Sequence, residues 1–358
     1  MLQENKNNSP VSNTLATNRL ATNTNESNTN ESNTNESNTN ESNTNESNTN
    51  ESDTNTDESM KNISKNTQLN YNNKENYQDT SSYDTLVLAG GSIKGFMTIG
   101  AIQYLHDNFS VKNIKNFIGT SSGSIICFLL AIGYTPVEII VYSCTNQLME
   151  KMNTLNIVAM IQGRGVSSFN HIQEQLEKMT IVKIGYLPTL NDLKENYGKT
   201  LIATTHNLTE NRTEYLSWKT HPNLPCITAI RMSSNLPLIF ENYKYGNSLY
   251  VDGGISDNFP IDMGEKIGNK VIGIILDNKP YKVEIDSEYN TLEFIYKIIF
   301  IPMQQSNEWK IRNAKEKTHI VRINHSSINT KFFEFDISSK YKLEMFSIGY
   351  EKMRKEFE

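Results

Sequence analysis

The sequence predicts an α/β fold: one large domain with a mainly parallel central sheet covered by helices on both faces, preceded by a low-complexity tail. Three observations carry that prediction. Composition breaks sharply near residue 82, strand and helix patterns alternate after it, and two glycine-rich stretches each end a strand pattern and open a helix pattern.

The tail comes first in the chain. From Thr24 to Asp53 the pentamer "TNESN" recurs six times, its last copy ending in Asp, and few apolar residues appear before Ser82. A segment with so little to bury cannot offset the entropy of ordering, so residues 1–82 are expected to be disordered. A five-residue period is also far shorter than the roughly 20 to 50 residues of a solenoid unit. The tail holds 5 Lys or Arg against 12 Asp or Glu, which leaves 29 basic and 28 acidic residues in 83–358. The formal charge of -6 therefore belongs to the tail, and a near-neutral remainder has no basic stripe for nucleic acid.

After Tyr83, "DTLVLA" reads as a strand, "GGSIKG" as a loop and "FMTIGAIQYLHDNF" as a helix, with Ile99, Ile102 and Leu105 at helical spacing. A strand over 114–118 follows, carrying Ile114, Phe117 and Ile118. It leads through "GTSSGS" into the apolar helix "IICFLLAIG", closed by Gly133. The next helix opens on Thr135 and Pro136 in N-cap and first-turn roles. Further strands are predicted in "KTLIATTH", "TEYLSW", "SLYV" and "NKVIGIIL", and further helices in "PCITAIRMSS" and "PIDMGEKIG". In such sheets ligands gather at the carboxyl ends of the strands, where both glycine-rich loops fall.

Composition narrows the chemistry. Cys127, Cys144 and Cys226 are few and widely spaced, so neither a disulfide scaffold nor a zinc site is indicated, and a reducing compartment is expected. The opening "MLQENKNNSP" has no apolar signal region, Leu2 does not suit myristoylation, and "RKEFE" is no prenylation signal. No apolar run approaches about 18 residues. The expectation is a cytoplasmic or peripheral membrane protein that meets lipid from outside, with no transmembrane segment.

Three motifs bear on function. In "GTSSG", only Ser121 has glycine two positions before and after it, Gly119 and Gly123, as a strained nucleophile elbow requires; alone, the same residues also describe a plain strand-to-helix turn. In "GGSIKG", residues Gly90, Gly91, Ser92, Ile93, Lys94 and Gly95 offer backbone N–H groups at a helix N-terminus that can hold an anion, or a tight turn and nothing more. The absence of G-K-[ST] excludes a P-loop. In "YVDGGISDNFP", Asp252 before Gly253 and Gly254 is either a hairpin turn or a carboxylate able to take the Ser121 proton, provided that burial raises its pKa.

Taken together, "GGSIKG", "GTSSG", "DGG" and "NFP" in this order resemble the patatin-like phospholipase family, as do "MSSNLPLIF" before the aspartate and "SIGYEKM" near the end. The resemblance runs from about Thr85 to Asp277 and more faintly beyond. It implies a three-layer α/β/α hydrolase of lipid acyl esters, of phospholipase A or lysophospholipase type, with Ser121 as nucleophile and Asp252 as general base. The Gly90–Gly95 loop would be the oxyanion hole, and no cofactor or metal is implied. The implied substrate is a lipid or phospholipid at a membrane surface. Ser92 departs from the family pattern, which has glycine there, and Lys94 lacks the fork of the usual arginine.

Other readings of the residues stay open at this point. His319 and His325 follow Asp252 in the chain order of a Ser, Asp, His triad. A Rossmann oxidoreductase would use "LVLAGGSIKG" as its first strand and turn, although the glycine pattern is wrong for it. A hydrolase fold kept as an inactive lipid-binding module is the third. For the lipid-facing surface, Met149, Met152 and Met160 suit an adaptable acyl site or a core, and "FIYKIIFIPM" suits a buried or an interfacial helix.

Overall fold

The order of elements begins β1 (Thr85–Leu88), α1 (Gly95–Asn108), β2 (Asn116–Thr120), α2 (Ser122–Ala131), α3 (Pro136–Thr145), α4 (Asn170–Ile184) and α5 (Leu190–Tyr197). It continues with β3 (Thr200–Asn207), β4 (Arg212–Leu216), α6 (Cys226–Ser233), β5 (Tyr243–Tyr245), β6 (Ser248–Asp252) and α7 (Ile261–Ile267). It ends with β7 (Val271–Asp277), α8 (Thr291–Arg312), β8 (Thr318–Asn324) and α9 (Ser339–Phe357). The computed structural model describes residues 83–109, 111–146, 167–277, 291–324 and 337–358. The tail, Met149, Met152, Met160 and His325 lie outside the described residues.

The strands form one sheet in the order β5-β6-β3-β2-β1-β7-β8, with β4 also paired to β3. The run β3-β2-β1-β7-β8 is parallel, while β4, β5 and β6 are antiparallel additions. Side chains alternate between two buried faces, as the period of two demands. Leu86 and Leu88 of β1 join the larger apolar cluster with Phe117, Leu201, Ile272 and Ile274, and Val87 and Ala89 face the smaller one with Ile118, Ile202 and Ile275. Helices α1, α2, α4, α6 and α9 contribute to the first cluster; Phe259 and Ile261 at the start of α7 fill the second, with Ile311 of α8 against it. The fold is therefore a mixed α/β layer structure with a mainly parallel sheet, buried on both faces.

Two local features show sequence setting geometry. Thr135 accepts from the Glu138 N–H at 3.2 Å while Glu138 accepts from the Thr135 N–H at 2.7 Å, a capping box with Pro136 in the first turn. At the crossing of α1 and α9, a Cβ on Gly100 would lie 1.8 Å from the Phe346 carbonyl oxygen, and one on Gly349 would lie 1.8 Å from that of Met97. Only glycine lets the two backbones approach this closely.

The position of the site follows from β3. Its Thr200–Thr204 segment pairs with β2, and its Thr205–Asn207 segment pairs with β6. Strand β4 covers Ala203–Asn207 and overlaps both partners, so β2 and β6 must share the other edge of β3, one taking over where the other stops. Thr120 is opposite Thr204 and Asp252 is opposite Thr205. Residues more than a hundred positions apart in sequence thus meet end to end.

Candidate active site

Ser121 occupies the turn between β2 and α2 with φ 55 and ψ -129, a conformation in which an L-residue is strained. Several contacts hold it there. Its N–H donates to Ser233 Oγ at 3.0 Å, and its carbonyl accepts from the Ser124 N–H at 2.8 Å and the Ser124 hydroxyl at 2.7 Å. Gly119 and Gly123 are required by close approach: a Cβ on Gly119 would lie 2.5 Å from the Gly123 carbonyl carbon, and one on Gly123 would lie 2.6 Å from the Leu88 carbonyl oxygen. The turn points the serine out of the sheet at the N-terminus of α2, where the helix dipole favours negative charge.

Asp252 ends β6 and is 2% exposed. Its N–H donates to the Asn235 carbonyl at 2.9 Å, and its Oδ1 accepts from the Gly254 N–H at 2.7 Å. Burial raises its pKa to about 6, while the adjacent Ser121 hydroxyl and the Gly254 N–H favour the charged form and pull it back. Oδ2 has no well-aligned hydrogen bond among the described residues. The Ser121 hydroxyl is near enough to the carboxyl to favour its charged form.

The Gly90–Gly95 stretch folds as a tight turn with 3-10 geometry over Ser92–Lys94. Gly90 donates to the Asn258 carbonyl and accepts from Asn258 Nδ2, both at 3.3 Å, and a Cβ on it would lie 3.0 Å from Ser121 Cβ. The Gly91 N–H donates to Ser122 Oγ at 3.1 Å, and the Lys94 N–H donates to the Gly91 carbonyl at 3.1 Å. The Gly95 N–H is taken up by the carbonyls of Ser92 and Ile93. Ser92 adopts φ 52, where glycine would be unstrained, and burial lowers the Lys94 pKa to about 8.

Around the pair lie residues that the motifs did not flag. Arg231 is 2% exposed, and its guanidinium lies 4.5 Å from the Phe169 ring centre, 5.5 Å from that of Phe240 and 5.0 Å from that of Tyr243. Burial depresses its pKa to about 10, against the pull of Glu241. Its Nη1 donates to Asn235 Oδ1 at 2.9 Å, and Asn235 Nδ2 donates to the Tyr250 carbonyl at 2.9 Å, so Arg231 braces the segment that carries Asp252. Tyr296 of α8 donates to the Pro237 carbonyl; its pKa is raised by burial first and by the Asp252 charge second. Lys310 Nζ donates to Asp257 Oδ1 at 2.7 Å, and Tyr215 donates to Asp257 Oδ2 at 2.7 Å, fixing the turn after Gly254. The stretches "MSSNLPLIF" and "NFP" contain Ser233, Asn235 and Asn258, but nothing in one sequence says that Ser233 reaches the elbow, Asn235 the Asp252 strand and Asn258 the Gly90 turn.

His319 is placed elsewhere. Register puts it level with Ile272, Leu86 and Phe117, at the amino end of the sheet. That is roughly 13 Å along the strands and 14 Å across three of them from Ser121. Its ring stacks on Phe357, with Nε2 3.5 Å from Glu356 Oε1. Among the described residues, no three His, Cys, Asp or Glu side chains cluster in a way that could hold a metal ion.

A family model for patatin-like phospholipases matches residues 86–264, which span the glycine-rich turn, the elbow and the Asp252 loop. A relative described as a probable lipid hydrolase, from Invertebrate iridescent virus 6, is 34% identical over 278 residues, covering 75% of this chain and 87% of that one. The chain belongs to the patatin-like phospholipase family. An uncharacterised protein of Acanthamoeba polyphaga mimivirus is 31% identical over 202 residues, covering 55% of this chain and 67% of its own. The crystal structure of VipD from Legionella pneumophila aligns with a TM-score of 0.43 and 16% identity, over 77% of this chain and 66% of that one. The chain spans just under two thirds of VipD's length. No single described helix is long and apolar enough to cross a membrane; α2 and α3 pass such a test only as a pair bent by 120°, and Cys127, Phe128, Leu129, Ile139 and Ile140 of that pair belong to the core.

Proposed function

We propose that the protein hydrolyses carboxylic esters of lipids, of phospholipase A or lysophospholipase type, through Ser121 and Asp252 acting as a dyad. The observation that carries this reading is the juxtaposition of a strained serine with a buried carboxylate whose pKa is near 6. At neutral pH such a carboxylate is ionised yet remains basic enough to accept a proton in the transition state. Ser121 Oγ attacks the acyl carbonyl as its proton passes to Asp252. The tetrahedral oxyanion is held by backbone N–H groups of the Gly90–Gly95 turn. Collapse expels the alcohol, which takes the proton from Asp252. Water then adds to the acyl carbonyl as its proton passes to Asp252; collapse breaks the bond to Ser121 Oγ and releases the acid, and Asp252 returns the proton to the serine.

Within the turn, the Gly91 N–H, which rests on Ser122 Oγ, becomes available if the Ser122 hydroxyl rotates away. The positive φ of Ser92 supports this reading, since a glycine-like backbone is preserved although the glycine is not. The family's relatives include a probable lipid hydrolase, which supports an insoluble acyl ester as substrate. Release of fatty acid from a panel of phospholipids, lysophospholipids and glycerides by the full chain tests the reading. Turnover by wild type and none by Ser121→Ala is the expected result; no turnover on any lipid or on a soluble short-chain ester would leave an inactive lipid-binding module.

A further inference from the structure

The outward side of α8 carries a strip of large apolar side chains, with Gln305 among them and Arg312 at its end, where a helix packed on a domain should be polar. At 100° per residue, Tyr296, Met303 and Asn307 share its buried side, together with Lys310, which grips Asp257 and Asp262. Phe294, Ile298, Ile301 and Trp309 fall on the opposite side and are 55%, 51%, 51% and 66% exposed, with Ile295 at its margin. Glu308, near the rim of this strip, is paired with Arg322 at 2.5 Å.

We propose that this strip of α8 is the surface by which the enzyme docks on a lipid bilayer, as an apolar contact rather than a charged one. The inference rests on the lipid-hydrolase reading above. Continuity with the site supports it: the same helix presents Tyr296 to Pro237 within the field of Asp252 and holds, through Lys310, the loop that follows Asp252. A helix seated on the lipid by its outer side would therefore bring the Asp252 loop to the surface from which substrate must come. The chemistry fits an interface, with aliphatic side chains to enter the acyl boundary and a tryptophan for the headgroup level. The folded part carries almost no net charge, so binding should not need anionic lipid and should change little with salt. The protein's own repeat is a poor alternative occupant, because residues 24–59 contain no apolar side chain.

The test is flotation of the full-length Ser121→Ala protein, in which hydrolysis is blocked, with phosphatidylcholine vesicles. We expect co-flotation that persists at high salt, and a vesicle-bound to free ratio at least about tenfold lower in an Ile298→Glu, Ile301→Glu double variant. Quenching of tryptophan emission by lipids brominated in the acyl chain should disappear in Trp309→Phe, a substitution too mild to unfold the chain. Absence of flotation, or flotation and quenching unaffected by these substitutions, would overturn the proposal. So would a dimer in solution that the double variant dissociates without loss of vesicle binding, since the strip would then belong to a second copy. Turnover of a soluble short-chain ester by wild type is measured in parallel. Turnover without flotation sinks only the docking surface, and flotation without turnover sinks only the hydrolase reading.

Discussion

Ser121 and Asp252 each carry a cost that the proposed function would explain. The serine holds a positive φ, and the carboxylate is buried with only the Gly254 N–H in a well-aligned hydrogen bond among the described residues. We expect Ser121→Ala to abolish ester hydrolysis and labelling by a fluorophosphonate, while Ser122→Ala keeps activity within about tenfold, because the Gly91 N–H loses only a resting partner. The sign of the Asp252 effect on stability follows from its pKa, about 6 in the fold against about 3.9 in the unfolded chain. The native state binds the proton more tightly, so this contribution to stability is fully present below about pH 4 and is lost as pH rises through about 6. Asp252→Asn should therefore be more stable than wild type at pH 8, by about 3 kcal/mol, and close to it at pH 4. Activity has the opposite dependence: the base must be ionised, so kcat/KM on a soluble ester should rise with pH through about 6. These two residues were legible in the sequence because glycine spacing marks a turn. Ser233, Asn235 and Arg231 were not, since a serine, an amide and an arginine in a helix look like any others until the fold aims them at the site.

Elements were readable where their pattern was local. The parallel strands at 85–88, 200–207 and 271–277 have continuous apolar or β-branched runs, and α3 announced itself through Thr135 and Pro136. The strand predicted at 114–118 forms at Asn116–Thr120, two residues later, because register with β1 pairs Asn116 with Thr85. Helices α4 and α5 and strand β8 carry mixed polar patterns that only packing resolves; β8 has Thr318 and Arg322 within it, and it forms through its ladder with β7. The stretch "FIYKIIFIPM" gave two readings, a buried or an interfacial helix; in α8, Tyr296 and Met303 are buried while Phe294, Ile298 and Ile301 are exposed. An element-scale consequence concerns the crossing of α1 and α9. Gly349→Ala would drive a methyl group into the Met97 carbonyl, so the helices must separate, at a cost of about 2 kcal/mol or more. We expect a fall of several degrees in melting temperature.

At the scale of the whole molecule, a parallel sheet gathers its carboxyl ends, and β3 is long enough to take β2 and β6 in succession along one edge. That arrangement, invisible in any single motif, is what joins an elbow at residue 121 to a carboxylate at 252 and leaves His319 at the far end of the sheet. The tail contributes no apolar residues from 24 to 59, so deleting residues 1–80 should leave melting temperature almost unchanged and soluble-ester turnover within a few fold of the full chain. A large loss of either would show that the tail docks on the domain. The central claim is that Asp252 itself takes the serine proton, and turnover of a soluble short-chain ester by Asp252→Asn, beside His319→Ala, tests it most directly. With both variants folded by circular dichroism, we expect Asp252→Asn to lose at least about a thousandfold and His319→Ala to stay within about tenfold of wild type. Asp252→Asn within about tenfold of wild type, or a loss of about a hundredfold or more in His319→Ala, would contradict the dyad.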